Sequence, residues 1–372
     1  MNLSVDFMGL KLKNPIIVAA GPWTRNGEMI KKAIQSGASA VITETILNEI
    51  RPNVRPRLTS NGKGVQNIRL YSEIELEEWE DEIAIAKSCG GVVIANILAH
   101  TPSEMAYIAS RLEKFGADAI ELGVASPHGE GVEVMASDPQ KIYEITRKVS
   151  ESVKIPVMVK MSQSVTNMAK LARSIETGGA SAISAIDTIR SILGVDINTG
   201  KPYLPTYGGY SGAPIRPIGL AAVATIAQAT RLPVCGIGGI ESFENVLEYI
   251  MLGASAVQIG TSIMLNGYDY INTILTDLSS WMEKNNIQSL DSIKGKALLS
   301  LKSFEEIEIE PISSNVSQKC QREECKDCVS SCLYNAIYKN LQEVHVDTEK
   351  CTGCGLCVSR CPDRNFKLVW KE

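Results

Sequence analysis

Two groups of four cysteines near the carboxyl end constrain this chain more than any other feature. Eight of its ten cysteines lie between Cys320 and Cys361. The second group, from Cys351 to Pro362, follows C-x2-C-x2-C-x3-C-P, the spacing that holds a [4Fe-4S] cluster. The first group, which ends at Cys332, follows the same pattern with two extra residues in its first gap and no proline. The spacing therefore predicts two iron–sulfur clusters.

The order of the cysteines indicates which of them share a cluster. In proteins with two such clusters, the fourth cysteine of each run ligates the other cluster. One predicted ligand set is Cys320, Cys325, Cys328 and Cys361, and the other is Cys332, Cys351, Cys354 and Cys357. Two adjacent clusters form a short path for electrons, so we expect the rest of the chain to bind a group that exchanges them.

Disulfides and zinc are the alternatives for so many cysteines. Disulfides are typical of secreted chains, whereas this chain is long and acidic and its first 15 residues do not follow the layout of a secretion signal. Zinc needs four ligands, often from two C-x2-C pairs, and does not require two complete runs. Because disulfides are not expected, we predict a reducing, cytoplasmic location.

Cys89 and Cys235 lie outside the cysteine-rich region and are interpreted as buried free thiols.

Composition argues against two classes of partner. The formal net charge of −5 disfavours nucleic acid as the main partner. No apolar run reaches the roughly 18 residues that a membrane helix needs. We expect neither a nucleic-acid nor a membrane partner.

Ahead of the cysteines, short apolar segments alternate with amphipathic helical segments. The apolar segments are rich in Val, Ile and Ala, as is typical of parallel strands covered on both faces. They span residues 14–21, 40–46, 92–99, 119–125, 156–162, 182–188, 233–239 and 256–263. Eight βα units over about 250 residues predict an α/β fold of the (β/α)8 TIM-barrel type. A doubly wound sheet is the alternative.

The predicted organisation is a barrel, a connector and a small cysteine-rich module. We assign residues 1–302 to the barrel, 303–316 to an acidic connector and 317–372 to the module. The first 15 residues read as a hairpin that closes the bottom of the barrel. Residues 49–68, rich in Arg, Pro and Gly, are interpreted as irregular.

Glycine-rich turns follow the last two predicted barrel strands. Gly238 and Gly239 follow the seventh strand, and Gly260 and Thr261 follow the eighth. Glycines let backbone N–H groups approach a phosphate, and the fold commonly binds phosphate at this position. We predict a phosphate site here, with residues 208–212 adding donors. Tight barrel turns are the alternative.

A single lysine, Lys160, stands inside the apolar fifth strand. Burying a lysine without a partner is costly, so its ammonium group is expected to face a ligand or a carboxylate at the barrel mouth. Next to a flavin it would stabilise the negative charge of the reduced ring. The structural alternative is an ion pair with Glu44, Glu121 or Asp187.

The loop after the fourth strand carries a hydroxyl, an imidazole and two carboxylates, on Ser126, His128, Glu130 and Glu133. Such a loop can carry a proton donor and close over a substrate. An exposed polar loop without function is the alternative.

Together these features resemble the dihydroorotate dehydrogenase superfamily. The closest resemblance is to the flavin barrel and carboxyl-terminal ferredoxin module of dihydropyrimidine dehydrogenases. The resemblance covers nearly the whole chain and is carried by Asn14-Pro15, Ala19-Ala20-Gly21, Glu121-Leu122, Pro127-His128-Gly129, Asp138-Pro139, Lys160, Tyr207 to Gly212, Ile215-Arg216-Pro217, Gly238-Gly239-Ile240, Leu301-Lys302-Ser303 and both cysteine runs.

The resemblance implies an FMN in the barrel mouth, with its phosphate on the glycines of the seventh and eighth strands. Hydride would pass between the flavin N5 and a carbon of a small cyclic or conjugated substrate, and the loop would exchange a proton at the neighbouring carbon. The implied catalytic residues are Ser126, Lys160 and His128. The implied cofactor contacts are Ala20, Gly21, Glu44, Thr45, Asn96, Lys160, Asp187, Ser211, Gly212, Gly238, Gly239, Gly260 and Thr261.

Several positions depart from the family pattern. Where the family has Asn-Leu-Ser-Cys-Pro, this chain has Gly123 at the pyrimidine-binding asparagine and Ser126 at the catalytic cysteine. Glu44 replaces a flavin-contacting lysine, and Asp187 replaces a substrate-binding asparagine. Losing complementary hydrogen bonds costs orders of magnitude in discrimination. The resemblance thus predicts conserved electron-transfer machinery and a substrate other than an ordinary pyrimidine.

The pyrimidine enzymes receive electrons from NAD(P)H through an FAD unit, and this sequence contains no such unit. We therefore expect a partner subunit of that type, or a soluble ferredoxin, and by analogy a homodimer. The alternative function is an electron-transfer subunit of a larger redox complex, without a substrate of its own.

Overall fold

Eight short parallel strands close into a barrel, as the apolar pattern predicts. The structure, a computed structural model, describes residues 2–50, 54–69, 71–124, 135, 137–308 and 312–370. The barrel strands are β1 (Ile16–Val18), β2 (Ala40–Ile42), β3 (Val92–Ile97), β4 (Ala119–Leu122), β5 (Val157–Met161), β6 (Ala182–Ala185), β7 (Val234–Ile237) and β8 (Ala254–Ile259). Each pairs with the next along the chain, and β8 pairs with β1. The doubly wound alternative is therefore wrong.

Helices follow the strands and bury their apolar faces in the same core. They are α1 (Gly27–Gln35), α2 (Trp79–Lys87), α3 (Pro102–Lys114), α4 (Pro139–Ser150), α5 (Met168–Thr177), α6 (Arg216–Ala229), α7 (Phe243–Met251), α8 (Thr261–Asn266) and α9 (Tyr270–Lys284). Side chains fix several starts: Asn26 accepts a hydrogen bond from the Met29 amide, and Asp138 accepts one from the Gln140 amide. None of the described helices is long and apolar enough to cross a membrane.

The predicted amino-terminal hairpin is confirmed. Residues Val5–Phe7 and Leu10–Leu12 pair as antiparallel strands. The side chains of Phe7 and Leu12 are buried in the barrel core. The hairpin leads directly into the amino end of β1.

A second, antiparallel sheet forms from segments that follow β2 and β6. Its strands, in spatial order, are Ile189–Ser191, Gly208–Gly212, Gly64–Asn67 and Leu58–Ser60. The interpretation of residues 49–68 as wholly irregular is therefore wrong. The two strands within residues 49–68 pair with each other, and Gly64–Asn67 also pairs with Gly208–Gly212. Local composition does not reveal a partner more than a hundred residues away. A separate two-stranded hairpin joins Val195–Asp196 and Lys201–Pro202.

The chain divides into two compact units, Met1–Leu301 and Lys302–Glu372. In the second unit, strand Ile312–Val316 pairs with Phe366–Trp370, and Ile337–Asn340 pairs with Glu343–Val346. Two short helices, α10 (Asp327–Ser331) and α11 (Leu356–Arg360), start within the cysteine runs. The predicted connector of 303–316 is thus wrong at its end, because residues 312–316 form a strand of this unit.

Candidate functional site

A pocket with about 560 Å³ of empty volume opens at the carboxyl ends of the barrel strands. Active sites of this fold form at this edge. The strands and the turns that follow them supply most of its walls. Among the lining residues are Ala19, Ala20, Trp23, Lys160, Ile186, Asp187, Thr188, Ser211, Gly212, Gly238, Gly239, Glu241, Gln258, Gly260, Thr261 and Ser262.

Most of the predicted cofactor contacts lie around this pocket. Nine line it: Ala20, Lys160, Asp187, Ser211, Gly212, Gly238, Gly239, Gly260 and Thr261. The other four, Gly21, Glu44, Thr45 and Asn96, are not among its lining residues. Of the predicted catalytic residues, Lys160 lines the pocket, whereas Ser126 and His128 lie outside the described residues, as do Glu130 and Glu133.

Lys160 faces both the pocket and a buried carboxylate. Its Nζ lies 3.9 Å from Oε2 of Glu121, and only 6% of the lysine is exposed. Burial lowers the pKa of Lys160, but the nearby Glu121 and Asp187 outweigh that effect and leave the pKa raised. Lys160 therefore carries a positive charge at neutral pH. Its contact with Glu121 and its position in the pocket wall show that the ion pair and the pocket position, predicted as alternatives, occur together.

Glu121 is the centre of a hydrogen-bond network inside the barrel. Its Oε1 accepts from Ser184 Oγ at 2.7 Å and from Gln258 Nε2 at 2.8 Å. Its Oε2 accepts from Asn96 Nδ2 at 2.7 Å. The side chain is fully buried. Three neutral donors and one ammonium group stabilise the buried charge and hold Lys160 in place.

Three buried oxygen atoms near the pocket have no hydrogen-bond partner among the described residues. They are Asn96 Oδ1, Gln258 Oε1 and Ser262 Oγ. Gln258 and Ser262 line the pocket itself. Buried polar atoms are normally hydrogen-bonded, so the two partnerless oxygens that line the pocket are available to a polar ligand.

The turn after β7 needs its glycines for its backbone conformation and for its close packing against neighbouring residues. Gly238 and Gly239 adopt φ values of +122° and +66°, which favour glycine. A Cβ at Gly239 would stand 2.8 Å from the Gly212 carbonyl oxygen. Across the pocket, Thr261 Oγ1 donates to Ser211 Oγ at 2.7 Å. Two glycines and two hydroxyl groups therefore line the pocket where the phosphate site is predicted.

The sequence reasoning did not select Trp23 or Gln258 as site residues. The Trp23 ring would lie 2.6 Å from a Cβ at either Gly21 or Gly260, so both glycines make space for it. Its Nε1 donates to the Ala19 carbonyl at 2.7 Å. A Trp close to a glycine-rich turn and a Gln within an apolar strand are the signals that could have found them.

Glu44 is paired with Arg69 by two hydrogen bonds, from Arg69 Nε and Nη2. Both residues are at least 95% buried. Arg69 Nη1 also donates to Glu73 at 3.3 Å. Burial raises the pKa of Glu44, and Arg69 opposes that rise. The carboxylate at the position of the family lysine is therefore neutralised within the protein.

The second unit contains two cavities, each lined by four cysteines. One, of about 370 Å³, is lined by Cys320, Cys325, Cys328 and Cys361. The other, of about 360 Å³, is lined by Cys332, Cys351, Cys354 and Cys357. These are the two quartets that the order of the cysteines predicts. We call them the first and the second quartet.

The cysteines of both quartets are free thiols that surround a cavity. All ten cysteines lie in the described ranges, and none of them forms a disulfide there. Within those ranges, no three His, Cys, Asp or Glu side chains converge on a point that suits one metal ion. Four thiols around a cavity fit a bulky cluster better than a single ion, whose bonds to sulfur are about 2.3 Å long.

Two family models match parts of this chain. A family model described as "Dihydroorotate dehydrogenase" matches residues 2–282, and one described as "4Fe-4S binding domain" matches residues 344–365. Similar curated proteins include "Dihydroorotate dehydrogenase B (NAD(+)), catalytic subunit" from Thermoplasma volcanium, 33% identical over 301 residues, and from Pyrococcus horikoshii, 35% identical over 300 residues. The alignments cover 80% of this chain and 99% and 98% of those relatives, respectively. About a fifth of the chain therefore has no counterpart in them.

Proposed function

The chain belongs to the dihydroorotate dehydrogenase family, and on that premise we propose that it is a flavin-dependent iron–sulfur oxidoreductase that reduces or oxidises a carbon–carbon bond of a small cyclic or conjugated substrate. Enzymes of this family are oxidoreductases acting on CH–CH groups. The observation that carries the proposal is a glycine-lined barrel pocket in a chain that also holds two cavities with four cysteines each.

The residues around the pocket fit an FMN. Gly238, Gly239, Gly260 and Thr261 would hold the phosphate, with Ser262 Oγ as a further partner. The partnerless oxygen of Gln258 would accept a hydrogen bond from the ring. When bound, FMN supplies hydride transfer at its N5 atom.

In this proposal the chain's own residues place charge and move a proton. Lys160 holds a positive charge at the pocket wall, where it stabilises negative charge on a bound ring. Glu121 positions Lys160 and keeps it protonated. Ser126 is proposed to hold and return the proton at the substrate carbon, with His128 assisting because an isolated serine hydroxyl is a weak acid and base.

The altered residues support a substrate other than an ordinary pyrimidine. A Cβ at Gly123 would stand 2.6 Å from Asn96 Oδ1. Asn96 cannot easily move, since its amide is bonded to Glu121 at 2.7 Å. The site thus lacks room for the asparagine that the family pattern has at this position. The change to Asp187 at the pocket wall adds a carboxylate where the pattern has a neutral amide.

We propose one [4Fe-4S] cluster on each cysteine quartet. The clusters would connect the flavin to an external electron carrier. The relatives are named as catalytic subunits of an NAD⁺-linked enzyme, which favours a separate electron-transfer subunit over a soluble ferredoxin. A homodimer is the proposed assembly by analogy with the family.

The second candidate function is an electron-transfer subunit without a substrate of its own. The observation that favours it is the loss of family substrate contacts at Gly123 and Asp187. Turnover separates the two candidates. The anaerobically purified protein, reconstituted with iron, sulfide and FMN, is reduced and then mixed with a series of unsaturated cyclic compounds. Reoxidation of the flavin by one of them supports the enzyme, and a protein that binds no FMN contradicts it. Uracil and thymine with reduced viologen serve as the pyrimidine control and should not turn over.

A further inference from the structure

We propose that Ser314 and Asn365 set the reduction potentials of the two clusters, one residue for each cluster, by donating hydrogen bonds to sulfur. The inference rests on the proposed function, because it requires a [4Fe-4S] cluster on each quartet. Each residue lines one cavity only: Ser314 the second quartet and Asn365 the first.

Ser314 lies against two sulfur atoms of the second quartet. It occupies the middle of strand Ile312–Val316 and is 2% exposed. Its Oγ is 3.0 Å from Cys357 Sγ, and its backbone N–H donates to Cys351 Sγ at 3.3 Å. A thiolate that ligates iron has no proton to donate, so the serine hydroxyl is the donor in the loaded protein.

Asn365 presents a donor that the protein leaves without an acceptor. The residue is 5% exposed, and its Nδ2 has no hydrogen-bond partner among the described residues. Its backbone is held firmly, because its carbonyl accepts from both the N–H and the Oγ of Ser317, at 2.7 and 3.0 Å. Its own N–H donates to Cys361 Sγ at 3.4 Å. A buried amide without an acceptor is costly, and sulfur in the first cavity is the acceptor that would satisfy it.

The consequence is electrostatic. Reduction takes one electron from an external donor, adds one negative charge to the cluster and its thiolates, and makes or breaks no bond. A hydrogen bond to sulfur stabilises the more negative, reduced form to a greater extent than the oxidised form. Hydrogen bonds to the sulfurs are among the factors that set the potential of such clusters. Removing a donor should therefore lower the potential of the cluster it contacts and leave the other unchanged.

The test is a redox titration of the whole chain, followed by electron paramagnetic resonance, after iron and sulfide analysis. For Ser314→Ala, the midpoint potential of one cluster should fall by about 59 mV. For a one-electron couple, this fall equals about a tenfold lower ratio of reduced to oxidised cluster at a fixed potential. Ser314→Thr, which keeps the hydroxyl, should retain the wild-type value. For Asn365→Leu, which keeps the branching of the side chain and removes the amide, the midpoint potential of the other cluster should fall. Ser359→Ala is the control, because that hydroxyl bonds to the Leu356 carbonyl and not to sulfur.

Two results would overturn the proposal: Ser314→Ala and Asn365→Leu moving the same midpoint, or both midpoints staying in place. If Asn365→Leu does not load iron fully, Asn365→Ala replaces it, and an unchanged midpoint in a fully loaded variant has the same meaning. The iron content of the wild-type chain separates failure of this inference from failure of the proposed function. A wild-type chain with four irons would contradict the proposal of two clusters. In that case, the variant whose residue contacts the remaining cluster must still lower the midpoint potential of that cluster.

Discussion

The guanidinium of Arg69 and the carboxylate of Glu44 form a buried two-point ion pair, with Nη2 2.7 Å from Oε2. Glu44 stands where the family pattern has a lysine, so the sequence alone suggests a reversed charge near the flavin. The structure shows that a cation from 25 residues further along the chain neutralises it. The negative charge that Glu44 introduces at this position is thus balanced by Arg69 inside the protein.

Replacing Arg69 with Met should destabilise the barrel by roughly 3–5 kcal/mol, because it leaves a buried carboxylate without its partner. Chemical denaturation, followed by tryptophan fluorescence, measures the change. The matched control is the double variant Glu44→Leu/Arg69→Met, which removes both charges and should be much closer to wild type. Equal losses in the single and double variants would show that the pairing contributes nothing.

Replacing Lys160 with Met should slow reduction of the bound flavin by roughly 10²–10³-fold, since a fixed charge aimed at developing negative charge is lost. Stopped-flow absorbance of the flavin measures the rate. Lys160→Arg keeps the charge and should retain most of the wild-type rate of flavin reduction. A Met variant with wild-type rates would remove Lys160 from the mechanism.

The raised pKa of Lys160 also predicts a dependence of stability on pH. The folded state holds this proton more tightly than the unfolded state, whose lysine pKa is about 10.4. The contribution of Lys160 is therefore complete below about pH 10 and is lost as pH rises through the folded-state pKa. Above pH 10, the free energy of unfolding should fall less steeply for Lys160→Met than for wild type. If the free energy of unfolding fell equally steeply with pH in both proteins, the raised pKa of Lys160 would be contradicted.

Introducing a side chain at Gly123 should be costly because of Asn96. Gly123→Ala places its methyl group 2.6 Å from Asn96 Oδ1 and should destabilise the protein by roughly 1–3 kcal/mol. In an Asn96→Ala background the same change should cost much less. A thermal-shift comparison of the four proteins measures this coupling, and purely additive effects would contradict the predicted contact.

Ser126→Ala should slow the proton-coupled step by roughly 10²–10⁴-fold and leave FMN affinity unchanged. Substrate turnover and FMN titration measure the two quantities separately. Undiminished turnover would transfer the role to His128 or Glu130.

The barrel was predictable because its signal is local. Each strand is a short apolar run followed by a helix, and eight repeats leave few other architectures. The quartets were predictable for the same reason, since cysteine spacing fixes the order of ligands. Neither prediction requires knowledge of distant contacts.

The parts that sequence reasoning missed depend on contacts between distant segments. Arg69 acquires its role from Glu44, and strand Gly208–Gly212 acquires its partner from residues 64–67. Gln258 reads as one polar residue in an apolar strand, and only closure of the barrel brings its amide to Glu121. Local periodicity contains no information about such pairs.

The measurement that tests the central claim most directly is the cofactor content of the anaerobically purified and reconstituted chain. Acid extraction gives FMN, and colorimetric assays give iron and acid-labile sulfide per chain. The proposal predicts one FMN, eight irons and eight sulfides, because each quartet holds a four-iron cluster and the barrel pocket holds one flavin. Stoichiometric zinc in the second unit, or a reconstituted chain without FMN, would contradict it.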